Sequence, residues 1–403
     1  NKNKRQSRAP YIHNPVHQSR RYLITRAIRN IFRVNLNVKK SESVFVFTDR
    51  PFEKEVIEET DRCRRERLRD IAILTAETGR GFCKNIFYHE YPATGNHGAE
   101  PPQELWAIAF GEKTFKKLKT QNLLIPLINK SAKDTDIKKA EEIISRHRRY
   151  AVNAVVALSN YSTSHTRFRD LLTRMCGVRY ASMPLFDAPM LEGAMNVDWK
   201  TLAKRTRDIA KVVNKAEQIE IKTPNGTYVL FSKKGRKAES DTGLLTKPGS
   251  FGNLPAGEVY LAPLEGTANG KLVLEWAPTR PMKSPVTVTI KDGIVKEVSG
   301  DVVDSTLREE YVYYLRGKIS ERKENANIAE LGIGTNDMAK RPDNILESEK
   351  ILGTIHIALG DNSSFGGKVS TPFHQDFVFF RPTVTLIHKD GSKGILMKDG
   401  KFM

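Results

Sequence analysis

Two apolar runs near the C-terminal end of the chain carry ionisable side chains where a strand would turn them to one face. The first is Gly353-Thr354-Ile355-His356-Ile357-Ala358-Leu359-Gly360. The second, Pro372-Phe373-His374-Gln375-Asp376-Phe377-Val378-Phe379-Phe380, follows the turn residues Ser364-Phe365-Gly366-Gly367. In extended backbone alternate side chains share a face, so His374 and Asp376 point one way and Phe373, Gln375 and Phe377 the other. Gly353 and Gly360 bound the His356 run, and the Gly366-Gly367 turn lets the two strands return beside each other. A lone strand histidine serves equally well as packed core. Two imidazoles and a carboxylate meeting from adjacent strands suit a divalent metal, whose usual nitrogen and oxygen ligands these are.

Carboxylates stand in apolar company elsewhere too. Glu258 follows Pro255-Ala256-Gly257 at the mouth of a strand, and Glu330 lies between Ile328 and Leu331. Each fits an exposed edge position, or a buried one whose charge a cation offsets, because an unpaired buried charge is costly.

At 403 residues the chain exceeds the size at which one hydrophobic core stops growing. Four segments are expected: a basic arm and amphipathic helix over 1–40, an N-terminal α/β domain over 41–196, a linking helix over 197–217 and a C-terminal metal-site domain over 218–403. No apolar run approaches the roughly 18 to 20 residues of a membrane span. No signal-peptide pattern opens the sequence, so a cytoplasmic protein is expected. Cys63, Cys83 and Cys176 lack zinc-site spacing and read as reduced, buried thiols.

The net charge of +19 is uneven, because residues 1–40 hold 11 Lys or Arg and no acid. Residues 1–18 read as a disordered arm. From Ser19 to Asn35, Leu23, Ala27, Ile28, Ile31 and Phe32 recur at helical spacing among five arginines. Such a helix either docks its apolar stripe on the first domain or on a second subunit, or binds an anionic partner such as nucleic acid or a membrane surface.

From Ser43 onward strand and helix alternate. Ser43–Phe47 is a buried-type strand, followed by a helix through about Thr78 with Val56, Ile57, Leu68, Ile71 and Leu74 on its apolar side. Lys84–Tyr88 gives a second strand, and Val152–Leu158 a β-branched one of the kind buried in a parallel sheet. Ser162-Thr163-Ser164-His165-Thr166 offers caps for a helix ending at Cys176-Gly177. This alternation predicts a doubly wound α/β sheet. Without a Gly-x-Gly-x-x-Gly fingerprint or phosphate loop, nucleotide binding has no support. His89-Glu90 does not open a His-Glu-x-x-His zinc helix, since Ala93 stands four residues on. His97, His147 and His388 read as surface residues, and His165 as a capping or packing residue.

Beyond a helix capped by Asn196 or Asp198 the character changes to hairpins: Gln218–Lys222 with Thr227–Phe231, and Val286–Ile290 with Ile294–Val298. Gly235–Asn253 reads as a loop. Helices open at Asp304-Ser305 and Asp343-Asn344. The C-terminal part is therefore expected to be α+β and rich in hairpins.

The segment His356 to Asp376, with Asn253-Leu254-Pro255-Ala256-Gly257-Glu258-Val259-Tyr260 and Asn327-Ile328-Ala329-Glu330-Leu331-Gly332, resembles the thermophilic metallo-aminopeptidase (aminopeptidase T and S) family. The resemblance implies metal ligands at Glu258, Glu330, His356, His374 and Asp376, holding two zinc, cobalt or manganese ions. It further implies a homodimer that releases N-terminal amino acids from peptides by metal-activated water, with Glu330 shuttling the proton. The family's tyrosine, seven residues past the first histidine, is Ser363 here, so a metal, Ser363 or water is expected to assist the oxyanion. Asp361 adds a carboxylate nearby. A mononuclear iron dioxygenase that opens dihydroxypyridine rings resembles this family too, and His356, His374 and Asp376 would form its triad. A degenerate member acting as a nucleic-acid or ribosome-associated binder through the basic arm is the other alternative.

Overall fold

The computed structural model describes residues 15–277, 280–300 and 307–403. The basic arm before Pro15 and the expected helix start at Asp304-Ser305 lie outside the described residues. Helix α1 spans Pro15–Asn30 and runs into a π-helical turn at Ile31–Asn35. Its stripe docks as one of the two readings required: Ala27, Ile28, Ile31 and Phe32 are fully buried while Arg21, Arg26, Arg29 and Arg33 face solvent. Strand β1 (Ser43–Arg50) leads to α2 (Glu59–Gly79) and β2 (Asn85–Pro92). The buried side of α2 is Leu68, Ile71, Ala72 and Ala76; Val56 precedes the helix and is fully exposed, and Leu74 is also exposed.

After β2 come the helices α3 (Gln103–Phe110), α4 (Glu112–Thr120), α5 (Leu124–Ile128) and α6 (Asp134–His147). Then come β3 (Ala154–Ala157), α7 (Arg167–Cys176), β4 (Arg179–Ser182) and α8 (Trp199–Val213). Thr166 caps α7 by accepting from Arg169 N, and Gly177 ends it in the left-handed conformation that a glycine adopts without strain.

The first sheet has the order β2-β1-β3-β4, all parallel, with a fifth strand described below. Alternation along β1 explains the double winding. Val44 and Val46 face a core with α1 and α2, while Phe45 and Phe47 face a second core with Leu105, Trp106 and Phe168. Each of those phenylalanines contributes roughly 1.5–3 kcal/mol by leaving water. In a sheet of this order ligands gather outside the carboxyl ends of the strands, at the point between β1 and β3 where the strand order reverses.

The remaining strands are β5 (Gln218–Lys222), β6 (Tyr228–Ser232), β7 (Glu239–Asp241), β8 (Phe251–Asn253), β9 (Glu258–Leu261), β10 (Asn269–Ala277), β11 (Arg280–Lys291) and β12 (Ile294–Gly300). After α9 (Leu307–Glu321) come β13 (Ile328–Gly334), α10 (Ile345–Ser348), β14 (Ile355–Gly360), β15 (His374–Phe379), β16 (Thr383–Ile387), β17 (Lys393–Lys398) and β18 (Lys401–Phe402). An antiparallel sheet β12-β11-β10-β6-β5-β16-β17-β18 backs a second one, β15-β14-β13-β9-β7. Between them lie Ile219, Val229, Leu272, Ile355, Ile357, Leu359 and Phe377.

The interval read as a loop, Gly235–Asn253, contributes two strands to different sheets. β7 edges the sheet of the histidine strands, whereas β8 pairs in parallel with β4 and completes the first sheet. Its polar, glycine-containing sequence hides both, because each is only three residues long and makes its pairs with strands distant in sequence. Helix α8 spans the same divide: Trp199 and Leu202 enter the core beneath the parallel sheet, Ile209 and Val213 the core of the antiparallel layers.

Asn336 fastens these parts together. Fully buried, it donates from Nδ2 to the carbonyls of Ala194 (3.1 Å) and Ala256 (2.9 Å). Replacing it with alanine leaves both acceptors buried without a donor. Asn336→Ala is expected to lower the unfolding free energy by about 2–3 kcal/mol, read as a shift in urea midpoint at constant slope.

Candidate metal centre

The histidine-bearing sheet has one apolar face and one charged face. Residues directly opposite one another across antiparallel strands share a face. Gly332 stands opposite both His356 and Tyr260, Ala358 opposite both Glu330 and Asp376, Gly360 opposite His374, and Asp241 opposite Glu258. Tyr260, Glu258, Glu330, His356, His374, Asp376 and Asp241 therefore all point away from the packed core, into one cleft.

Glu330 gets there through a β-bulge. Ile328 pairs with Leu359 and Glu330 with Ala358, so one extra residue, Ala329, is absorbed in β13. Strict alternation would have put Glu330 on the core face with Ile328; the bulge reverses it and leaves Leu331 and Ile333 to the core. Gly332 then supplies space for the His356 ring, since a Cβ at 332 would stand 1.9 Å from Cε1 and 2.0 Å from Nε2.

All five residues expected to bind metal are brought together. His356 Nε2 lies 3.4 Å from Glu258 Oε2, 3.4 Å from Glu330 Oε1 and 4.0 Å from Asp376 Oδ1. His374 Nε2 lies 3.5 Å from both Glu330 Oε2 and Asp376 Oδ1. His374 Nδ1 donates to the Asp361 carbonyl at 2.8 Å, which turns the Nε2 lone pair toward the carboxylates. Glu258 Oε2 is buried without a hydrogen-bond partner, so the donor set has the acceptor capacity that a cation would satisfy. Glu330 with His374 and Asp376, and Glu258 with Glu330 and His356, each offer ligand atoms within 4.8 Å of one another. The residues present fit a divalent ion.

Ser363 stands apart. In the short turn Ser363–Phe365 its hydroxyl donates to the Asp361 carboxylate at 3.1 Å, and the cleft wall here is Ser364 and Phe365. The tyrosine position of the resemblance is therefore not filled by a group facing the cleft. Phe365 instead sets its ring edge-to-face against His374, with centroids 6.1 Å apart.

Lys350 and Arg169 carry no functional signal in the sequence, and His165 reads there only as a capping or packing residue. Lys350 is fully buried, its Nζ 2.5 Å from Glu258 Oε1 and 2.8 Å from Glu349 Oε1. His165 lies at the mouth of the cleft, its ring centroid 6.3 Å from that of His374. Arg169 lines the same wall, its guanidinium 4.3 Å above the Phe251 ring and its Nε donating to Ser164 O at 2.7 Å. His165 comes from the loop after β3 and Arg169 from the first turn of α7, both held at the carboxyl end of the parallel sheet: Asp49 accepts from Asn160 N (2.6 Å) and Tyr161 N (3.1 Å), and Glu100 from Arg167 N (2.6 Å) and Phe168 N (3.0 Å). The only sequence signal was the polar Ser162–Thr166 segment following a buried strand. The cleft between this loop and the charged sheet measures about 600 Å³.

The electrostatics follow from crowding. Burial opposes charge on His356 and His374, but Glu330 and Glu258 push His356 up to about 9, and Asp376 and Glu330 push His374 up to about 10. Asp376 is also penalised by burial, yet the two imidazoles hold it far below the usual carboxylate range. Burial, reinforced by Glu258, raises Asp241 to about 7 and Glu349 to about 8 despite Lys350. Desolvation and the neighbouring His374 push His165 down to about 4, so its ring is neutral at pH 7 although it opens onto the cleft.

A mixed α/β fold with a carboxylate-histidine centre facing the ends of a parallel sheet is the class these features define. Residues 186–402 match the NicX family, described as 2,5-dihydroxypyridine 5,6-dioxygenase, and the chain belongs to that family. Among solved structures it is similar to the 2,5-dihydroxypyridine dioxygenase from Pseudomonas putida KT2440 (TM-score 0.65, 17% identity, covering 94% of this chain and 96% of that one). It is also similar to AmpT from Thermus thermophilus (TM-score 0.56, 16% identity, 95% and 99%). At these identities both likenesses speak to the fold, which is the aminopeptidase T-like one expected. No curated protein matches the sequence. Among the described residues no helix is long and apolar enough to cross a membrane.

Two predictions follow from this geometry. Gly332→Ala drives a methyl into His356 and is expected to weaken divalent-metal affinity about 10- to 100-fold, as displaced metal-site geometry does, measured by titration calorimetry. The second concerns pH. In the metal-free protein the raised histidine pKa values contribute stability below about pH 6.5 that is lost as pH climbs through about 9 and 10. A metal must displace those protons. Its affinity is thus expected to rise between pH 6.5 and 8.5, by up to about tenfold per unit for each proton displaced, while metal-free thermal stability falls. A flat affinity profile would contradict the assignment of the imidazoles as ligands.

Proposed function

We propose that this protein is an enzyme, a mononuclear metal-dependent dioxygenase that opens a hydroxylated, electron-rich aromatic ring of the dihydroxypyridine type. The observation that carries the reading is the arrangement of His356, His374 and Asp376 on one sheet face, with Glu258, the carboxylate a second ion would need, already engaged by Lys350. Family membership supports it, as does Phe365, whose ring makes an apolar wall beside His374 suited to a flat substrate. In place of the two ions implied by the aminopeptidase resemblance, we infer one.

His356, His374 and Asp376 would hold ferrous iron, with Glu330, whose oxygens face both Nε2 atoms, placed to join the ligand set; iron so bound would supply the open positions that dioxygen chemistry needs. The protein's own residues do the rest. Phe365 and Tyr260, 5.9 Å apart edge to face, exclude water from one side of the ring. Neutral His165 accepts a hydrogen bond from a substrate hydroxyl, and Arg169 favours a substrate that carries or develops negative charge.

A second reading, metal-dependent aminopeptidase, is favoured by the retention of both Glu258 and Glu330 within 3.4 Å of His356. The deciding experiment loads the protein anaerobically with iron(II), admits oxygen, and follows uptake and ring absorbance with 2,5-dihydroxypyridine. The same protein loaded with zinc or cobalt is assayed for amino-acid release from short unblocked peptides. Oxygen uptake that Asp376→Ala and His374→Ala abolish is the expected result. Peptide hydrolysis lost in Glu258→Ala, without oxygen uptake under any loading, would overturn the proposal in favour of the peptidase.

A further inference from the structure

Lys350 is the least expected group in the cleft. An ammonium with no exposed surface is tolerated only where anions surround it. Here Glu258 at 2.5 Å supplies the negative charge, Glu349 Oε1 at 2.8 Å adds a second carboxyl oxygen, and Asp241 lies across the strand pair from Glu258. The backbone fixes the side chain's point of entry. Lys350 follows α10, its N–H donates to Glu347 O at 3.0 Å, and its carbonyl accepts from Asn336 N at 2.8 Å, so the lysine is built into the junction that Asn336 fastens.

Glu258 faces two ways. One oxygen is on the Lys350 ammonium; the other, buried and without a hydrogen-bond partner, turns to His356. A carboxylate shared in this manner is what bridges neighbouring cations in a two-metal site. In this protein one side of the bridge meets the imidazole and carboxylate donors and the other meets an amine. Glu258, Glu349 and Asp241 would together offer an oxygen-rich set to a hard divalent ion if the amine were gone.

We propose that Lys350 stands in for a second divalent cation: it neutralises the carboxylates on the Glu349 side of Glu258 and thereby limits the centre to one metal ion. The inference rests on the mononuclear reading above and deepens it by naming the residue that sets the metal number. A lysine serving only as a buried ion pair would, on removal, leave a weakened protein with the same metal content. One filling a cation's place leaves a site that a metal can occupy.

The test compares wild type, Lys350→Arg and Lys350→Met after equilibration with manganese(II) and removal of free ion. Ions per chain are counted by native mass spectrometry, and thermal midpoints are recorded against metal concentration. One ion per chain is expected in the wild type and in Lys350→Arg. Two are expected in Lys350→Met, with a second saturable rise in midpoint. If Lys350→Met does not fold without metal, recovery of folded, two-ion protein on refolding in millimolar manganese(II) supports the same conclusion, and no recovery at any concentration overturns it. One ion in both wild type and Lys350→Met removes the role given to Lys350 while leaving the mononuclear reading intact. Two ions in the wild type defeat the mononuclear reading itself.

Discussion

Carboxylates cannot be packed together away from water without positive charge among them, and the architecture around the cleft answers that constraint. Glu258, Glu330 and Glu349 are each buried, and Asp376 and Asp241 crowd the same face. Against them stand Lys350, His356 and His374. The pKa shifts register the imbalance: both imidazoles are drawn to the charged form, and Asp241 and Glu349 are pushed toward the neutral one. A divalent ion relieves the crowding by replacing imidazolium protons with a more compact charge that the carboxylates also ligate. Metal affinity and the stability of this layer are thus coupled properties of one charge distribution.

The charged face is affordable because the opposite face of the same strands is thoroughly apolar. Ile355, Ile357, Leu359, Phe377 and Phe379 pack toward the larger antiparallel sheet, and strands β13 and β14 are buried along their whole length. Two local devices adapt this ordinary alternation to the site: the bulge at Ala329 that turns Glu330 outward, and the missing Cβ of Gly332 that seats the His356 ring. Neither contributes a ligand atom. Without them the donors would be present in the sequence and misdirected in space.

That distinction separates what was legible from what was not. His374 and Asp376 could be placed together because period-two alternation within one strand needs no knowledge of the rest of the fold, and the glycine-bounded His356 run supplied its neighbour. Glu258 and Glu330 were ambiguous on their own and acquired a role through resemblance. The bulge is written only in which residues pair across strands. Lys350 and Glu349 follow a four-residue helix and carry no periodic signal; a lysine beside a glutamate reads as solvated surface until the surrounding chain closes over it. The doubly wound sheet emerged from alternating strand and helix, whereas β8, three residues in a polar segment, joins that sheet only through a pairing with β4. His165 reads as a capping or packing residue at a helix start, but Thr166 does the capping and the imidazole faces the cleft.

The division of labour across the cleft bears on how chemistry can vary on this scaffold. Among the described residues, the carboxylates and imidazoles that cluster within ligand distance of one another belong to the histidine-bearing sheet or to the turn carrying Glu349 and Lys350. The facing wall, with Ser164 and His165 on the loop at the carboxyl end of β3 and Arg169 in the first turn of α7, is anchored by Asp49 and Glu100. The two sets share no hydrogen bond among the described residues, although the His165 ring stands 6.3 Å from that of His374. A change at position 350 alters the positive charge beside Glu258 while the receiving wall stays as it is. A fold that separates the two in this way can host hydrolysis or ring opening on the same strands, since function resides in the site and not in the layers that carry it.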